Sequence, residues 1–434
     1  MPKKLSAIAC AAAILSGAFP AIAQQPAQWS YSFRDGVATA TYPGNIEVVG
    51  TINANASIDS FGADPTGNEP SDEAFTKALE EIGMNGGTLT GNGCVILGAG
   101  TYRFTAKIEV TLSQTARNDF CLRGQGANVS KMLWDQSDGG IAVTLTGQEN
   151  SVQVSDLSLL TGVASGGTAF SMTNTGAFGG GDGNASNITR VYVAGADKTQ
   201  NHDAASFYWS DGFVSTAVSN INYSFISVIG NVPSGNGNGI TFQGDDATDT
   251  FAVACNVTSS YFYNLDKGFI VGTWQQGINI VQTIFVSGER AIYQPSGTEQ
   301  TDMMTVTSSQ FDTTADTIVL DGMTHSNIVG NLFFTRASNS AIAILGSQYA
   351  TIQGNVINGN VGGVVPGGTG VFVASNLANN ASVISGNVFH NLSYGVALNT
   401  GTSGWNVQAN AYHGNTENYT NGGGGSNSVG VATP

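Results

Sequence analysis

The sequence predicts a single-domain, all-β chain wound as a right-handed parallel β-helix with an N-terminal capping helix, and three observations carry that prediction. A short apolar-polar-apolar pattern recurs through the second half of the chain with a period in the low twenties. Charged residues make up only 10% of the 434 while Gly accounts for 58 of them, the balance of a packed repeat protein rather than a disordered one. An amphipathic helix pattern stands before the first repeat, where a solenoid needs an end plug.

The repeat places an apolar residue three positions before an Asn, Ser or Thr anchor and an aromatic or aliphatic residue two positions after it. It reads Val257-Thr-Ser-Ser260-Tyr-Phe262, Ile280-Val-Gln-Thr283-Ile-Phe285, Val306-Thr-Ser-Ser309-Gln-Phe311 and Ile328-Val-Gly-Asn331-Leu-Phe333. It continues as Ile352-Gln-Gly-Asn355-Val-Ile357, Ile384-Ser-Gly-Asn387-Val-Phe389 and Val407-Gln-Ala-Asn410-Ala-Tyr412. Steps between anchors are 23, 26, 22, 24, 32 and 23 residues, one coil each with insertions in loops. The flanking apolar residues then point inward and stack at strand spacing of ~4.8 Å, which makes an internal aromatic column of Phe262, Phe285, Phe311, Phe333, Phe389 and Tyr412. Gly330-Asn331, Gly354-Asn355 and Gly386-Asn387 are the bends, because Gly and Asn tolerate left-handed backbone angles, and the stacked Asn side chains are expected to form a ladder. Upstream, Val154-Ser-Asp-Leu157, Ile188-Thr-Arg-Val191 and Ile221-Asn-Tyr-Ser224 fit the same template in coils with longer loops. A β-propeller would need four-stranded repeats of ~40 to 45 residues, which do not occur.

Ahead of the repeats, Ser71 or Asp72 is the expected cap of a helix with Ala74, Phe75, Ala78, Leu79 and Ile82 on one face. The segment Asp59-Ser-Phe61-Gly62-Ala63-Asp64, Gly67, Ser71-Asp72-Glu73-Ala74-Phe75, Gly86-Gly87 and Val95-Ile96-Leu97-Gly98-Ala99-Gly100-Thr101-Tyr102 resembles the N-terminal module of the pectate-lyase-like superfamily. The likeness is to the subgroup related to polygalacturonases and phage tailspike depolymerases. It implies a polysaccharide partner, cleavage of glycosidic bonds and, from the tailspikes alone, a homotrimer. The acids of the module itself read as turn and capping residues. Of the polygalacturonase motifs, Ser210-Asp211-Gly212-Phe213 echoes Asn-Thr-Asp and Gly244-Asp245-Asp246 echoes the paired Asp, but their spacing differs and Gly-His-Gly is missing.

Lys3 and Lys4, the apolar run Leu5 to Phe19 and Ala21-Ile22-Ala23 have the layout of a secretory signal peptide, so residues 1–23 are expected to be removed and the chain to be secreted or periplasmic. Residues 24–420 then form the helix domain, with 59–102 as its N-terminal module and 421–434 as a flexible Gly/Ser/Asn tail. Beyond the signal no run reaches membrane-spanning length. The formal charge of −16, without basic runs after the signal, argues against nucleic acid. Among the cysteines left after cleavage, pairing of Cys94 with Cys121 across neighbouring coils would leave Cys255 a buried free thiol.

Charge is scarce, so charges in one coil phase stand out. Counted from the anchors, Asp266 and Glu289 lie at +6, Asp316 at +7 and Arg336 at +5, with Lys267 and Arg290 at +7. Asp266, Glu289 and Asp316 are the candidate catalytic carboxylates, and Lys267, Arg290 and Arg336 the candidate substrate contacts. Carboxylates one or two coils apart bracket the ~5 to 9.5 Å used by glycosidases. A solvated ladder of ion pairs is the competing reading. Lys267, Arg290 and Arg336 equally suit a lyase working by β-elimination on uronates, and the missing family motifs suit a non-catalytic glycan-binding or surface-structural protein. The acidic surface favours hydrolysis of a neutral or weakly charged glycan.

His202 and Asp203 beside Tyr208 and Trp209 form the most aromatic polar loop and a candidate sugar subsite. Asp245, Asp246 and Asp249 are a weak Ca²⁺ candidate that reads equally as turn formers; no cofactor is required. His390 and His413 share a phase in adjacent coils.

Overall fold

In a computed structural model of the chain, the repeat is a coil of three strands, and one coil shows the plan. A first strand, Gln275–Val281, bends at Gln282 into a short second strand, Ile284–Val286, and a turn leads to a third, Arg290–Tyr293. First and second strands of successive coils stack into one 24-stranded sheet and third strands into a 14-stranded sheet, parallel in nearly every pairing. The structure describes residues 55–113, 118–147, 149–176, 185–198, 205–232, 234–336, 338–359, 367–375, 381–422 and 427–430, together with two N-terminal strands. Those two, Ser30–Arg34 and Val37–Thr41, pair antiparallel within the unit Met1–Ile52; the coils belong to the unit Asn53–Pro434. Residues 1–23, the expected signal segment, lie outside the described residues.

From Asp156 onward the bend has one cause: a residue with left-handed backbone angles immediately before the anchor. Asp156, Arg190, Phe225, Ser259, Gln282, Ser308 and Ala409 hold it at φ 49 to 61°, and Gly330, Gly354 and Gly386 at 63 to 68°. Only at the three glycines is that conformation free of steric cost. After the bend the anchor side chain turns into the core and caps the preceding coil. Ile226 N donates to Ser260 Oγ and Thr283 N to Ser309 Oγ, and then asparagine takes over. Ser309 N donates to Asn331 Oδ1, Asn331 N to Asn355 Oδ1, Asn355 N to Asn387 Oδ1 and Asn387 N to Asn410 Oδ1, at 2.9 to 3.0 Å. The expected ladder is therefore present, and buried. Beside it Phe262, Phe285, Phe311 and Phe333 stack at 4.7 to 5.3 Å, and Phe389 on Tyr412 at 5.4 Å.

Of the upstream matches, Val154 and Ile188 sit in register, but Ile188 pairs with Tyr223 rather than Ile221. The template is displaced by two residues there because Tyr223, buried with its hydroxyl on Ser215 Oγ at 2.7 Å, fills the inward position that a smaller aliphatic residue holds elsewhere.

The helix Asp72–Glu81 buries Ala74, Phe75, Ala78 and Leu79 in the same core as Val95 and Leu97, with Phe75 edge-on to Phe104 at 5.6 Å. The expected side-chain cap is not formed. Ser71 Oγ accepts from Asp64 N instead, and the Asp72 carboxylate accepts from the N–H groups of Thr105 and Ala106, tying the helix to a coil. The other acids of the module are structural as well: Asp59 accepts from the Tyr102 hydroxyl at 2.6 Å, and Asp64 gathers the N–H groups of Glu69, Thr66 and Asn68. Those hydrogen bonds, that from Glu69 foremost, hold the Asp64 carboxyl down at about 2. Since this is below the ~3.9 of an unfolded aspartate, the stabilisation is complete above about pH 4 and is lost as pH falls through about 2. An NMR titration is expected to find the Asp64 carboxyl ionised down to that pH, and Asp64→Asn to remove this part of the acid dependence.

Cys94 and Cys121 face each other in paired strands and are joined by a disulfide, while Cys255 is free and buried, its thiol pushed up by burial. The bond closes a loop across 27 positions, for which chain entropy gives about 3.5 kcal/mol. Cys94→Ser with Cys121→Ser is expected to lower Tm by several degrees, and reductant to lower the wild type to the same value.

The tail does not end the fold where its composition suggests. Ser428–Val429 pairs with Trp405–Gln408, and Val429 packs against the core, so a strand lies beyond the glycine run. The apolar Val429 at an inward position extends the sheet there.

Candidate functional site

The third strands begin at one level along the solenoid, and there the registers bring polar residues into a column. Asp211 pairs with Asn238, Asn238 with Lys267 and Lys267 with Arg290. Ile292 pairs with Ile318, so Asp316, two residues earlier, continues the column beside Arg290. Asp266 and Glu289 occupy the preceding position in adjacent coils, one strand spacing apart, with Arg290 N donating to Asp266 O at 2.9 Å.

This geometry agrees with the phase count for Asp316 and corrects it for Arg336. Asp316 aligns with Lys267 and Arg290, as its +7 count gives, and the residue equivalent to Glu289 in the next coil is Ala315, whose N–H bonds to Glu289 O. Arg336 does not flank Asp316: it bonds Asp312 at 3.2 Å. Its turn is two residues longer, Ser340 rather than Arg336 being the counterpart of Asp316, and counting from the anchor assumes equal turns. Asp312, in the second-strand column Tyr263, Val286, Asp312, Phe334, is thus a carboxylate of this corner that the count missed. Asp211 is another; its signal was the motif echo, not the phase.

Each acid of the turn has a hydrogen-bond partner. Asp266 pairs with Lys267 and Glu289 with Arg290 at 2.8 Å, while Asp316 accepts from Ser340 N at 2.6 Å. Lys267 and Arg290 both lie over the ring of Tyr293, at 5.5 and 5.2 Å. Glu289 remains 47% exposed and Asp266 36%, so both carboxylates reach solvent. An ion pair of that exposure contributes little to stability.

The same corner continues onto the outward face of the second strands. Tyr261 and Tyr263 stack at 6.0 Å, Lys198 lies over Tyr263 at 5.4 Å, and Tyr192 packs beside them. Asn128, Lys131, Ser158, Leu160, Tyr192 and Lys198 line an adjoining cleft of about 380 Å³. Burial pushes the Tyr192 and Tyr261 phenols up, so both are neutral hydroxyls at any physiological pH.

Of the predicted aromatic loop, His202 and Asp203 lie outside the described residues. Trp209 is no subsite: it is 2% exposed, packs on Trp134 at 5.8 Å and donates its indole N–H to Leu159 O, because its apolar surface completes the core under the loop. Tyr208 is half-buried beside it. Asp245 caps its own turn through Ala247 N and Thr248 Oγ1, and Asp246 accepts from the Trp274 indole at 2.7 Å. Among the described residues no group of three or more His, Cys, Asp and Glu is placed to hold a metal ion, Asp249 included. His390 and His413 stack in adjacent coils at 5.1 Å.

No protein-family model and no curated protein sequence matches the chain. Solved structures do. Pre-mature bacteriophage phi29 gene product 12 superposes with a TM-score of 0.55 at 13% identity over 82% of this chain, which spans about half, 52%, of that one. The mannuronan C-5 epimerase A-module of Azotobacter vinelandii gives 0.56 at 15% identity over 87% of this chain and 100% of its own. The catalytic domain of a GH87 α-1,3-glucanase in complex with nigerose gives 0.52 at 12% identity over 88% and 71%. At such identities the likeness carries the fold: this chain is a right-handed parallel β-helix.

Proposed function

We propose that the protein is an exported polysaccharide-processing β-helix that lays a glycan along the corner between its second and third strands and cleaves it by hydrolysis. The observation that carries this reading is the convergence, on that one corner, of the half-exposed rings of Tyr261 and Tyr293, neutral hydroxyls and solvent-reaching carboxylates in adjacent coils. Aromatic rings cover the apolar faces of sugars, hydroxyls and lysines orient them, and paired carboxylates supply acid and base. Asp266 and Glu289 take those roles, with Asp316 and Asp211 bordering the column. That a mannuronan epimerase and an α-1,3-glucanase share the fold supports a polysaccharide partner. Among the described residues no helix is long and apolar enough to cross a membrane.

A second reading is β-elimination on a uronate polymer, favoured by the adjacent cations Lys267 and Arg290 over Tyr293. Incubation of residues 24–434 with soluble α-1,3-glucan and with polymannuronate tests both. New reducing ends support hydrolysis, ultraviolet absorbance from an unsaturated uronate supports elimination, and retention of polymer without either product reduces the chain to a glycan-binding role.

A further inference from the structure

The coil has a second polar surface, away from the charged corner, on the outward face of the first strands. There a file of amides runs along the axis: Asn187 Nδ2 donates to Gln153 Oε1 at 3.1 Å, Asn222 Nδ2 to Asn187 Oδ1 at 3.0 Å, Asn256 Nδ2 to Asn222 Oδ1 at 2.9 Å and Asn279 Nδ2 to Asn256 Oδ1 at 3.0 Å. Unlike the interior ladder, these side chains are half-exposed. A carboxamide has two N–H donors and two acceptor lone pairs, and each rung consumes one of each. Asn222 and Asn256 therefore keep one donor and one acceptor at fixed intervals of one strand spacing.

Two further features converge on these rungs. Ala185, Asn220, Asn222 and Asn256 line a trough of about 310 Å³. Phe225, held at the bend with φ 54° three residues past Asn222, is 61% exposed, a large aromatic ring that the core does not use. Two charges of the neighbouring coils are paired: Arg190 bonds Asp156 through two nitrogens, at 2.5 and 2.9 Å, and that contact holds the Asp156 carboxyl low. A trough lined by Ala185 and three asparagines, with an exposed aromatic ring three residues along the chain from Asn222, complements a hydroxyl-rich, neutral chain.

We propose that this face is a binding track for a neutral polysaccharide lying along the solenoid axis, with Asn222 and Asn256 bonding its hydroxyls and Phe225 covering a sugar face. It shares with the function proposed above only the premise of a polysaccharide partner, and it is a surface separate from the charged corner. Its role is to hold polymer, not to cut it.

The test is affinity electrophoresis of residues 24–434 in native gels cast with dextran, soluble starch or galactomannan, with polymannuronate as the anionic comparison. At least one neutral polymer is expected to retard the wild type, and Phe225→Ala with Asn256→Ala to weaken that retardation by about tenfold or more in Kd. Phe225→Ala alone, at an exposed position, should weaken it with melting unchanged, which separates lost contact from lost fold. Lys267→Ala with Arg290→Ala should leave it intact. The track is refuted if no neutral polymer retards the protein, if the Phe225/Asn256 double variant migrates like the wild type, or if the Lys267/Arg290 variant alone abolishes retardation. Absence of cleavage with retardation preserved would count against the catalytic reading and leave the track standing.

Discussion

Asn355→Leu is expected to cost about 4 kcal/mol of folding stability. The Asn355 side chain is fully buried and makes four hydrogen bonds. Its Oδ1 accepts from Asn331 N at 2.9 Å and Asn331 Nδ2 at 3.0 Å, while its Nδ2 donates to Ile328 O at 2.8 Å and Asn387 Oδ1 at 2.9 Å. Leucine restores volume but leaves two Asn331 donors and the Ile328 carbonyl without this partner. Each such buried group costs roughly 1–3 kcal/mol. The outward amide file is the internal control. Asn256 makes a similar rung at the surface, where water replaces the lost partner, so Asn256→Ala should cost less than about 1 kcal/mol. Denaturant unfolding of the three proteins measures the difference, and equal losses for the two variants would mean that the interior ladder is not held by its hydrogen bonds.

That contrast also marks what a reader of the sequence can and cannot see. The interior ladder was legible because Gly-Asn pairs recur at coil spacing beside apolar residues, and both the left-handed bend and the buried amide demand those residue types. The outward file was not. Asn187, Asn222, Asn256 and Asn279 fall at spacings of 35, 34 and 23, and nothing in an isolated surface Asn distinguishes a rung from a loop residue. The same limit applied at the charged corner. Phase counting found Asp266, Glu289, Lys267 and Arg290 because their turns have one length, and it misplaced Arg336 where the turn is longer. Trp209 failed for a different reason: an aromatic in a polar stretch reads as exposed, but this ring turns into the core and is 2% exposed.

The Ser, Thr and Asn anchors have a further consequence for where the fold can carry chemistry. Because the interior column fixes each coil against the next by hydrogen bonds from backbone N–H groups, the height of every coil is set inside the solenoid. Turns outside are then free to vary in length without shifting the strands that follow, as the turn between Arg336 and Ser340 shows. A site at the start of the third strands thus sits on a rigid sheet edge while its neighbours on the turn can differ from coil to coil.

Glu289→Gln is expected to remove most polysaccharide turnover, by about 10²- to 10⁴-fold, with Tm unchanged. Glutamine keeps the length and one acceptor oxygen of the side chain but can neither take up nor release a proton at neutral pH. Folding should survive because Glu289 is 47% exposed and its pairing with Arg290 is a surface ion pair, worth little to stability. Asp266→Asn should have an effect of the same order if the two carboxylates divide acid and base between them, one strand spacing apart. Arg290→Ala distinguishes the two chemistries. In hydrolysis its loss removes an orienting partner of Glu289 and should lower turnover modestly. In elimination it removes a cation facing the uronate carboxylate and should abolish formation of the unsaturated product. Reducing-end assays, absorbance and melting curves on the three variants give the answer together: full activity in both Glu289→Gln and Asp266→Asn would return the corner to a solvated ladder of ion pairs.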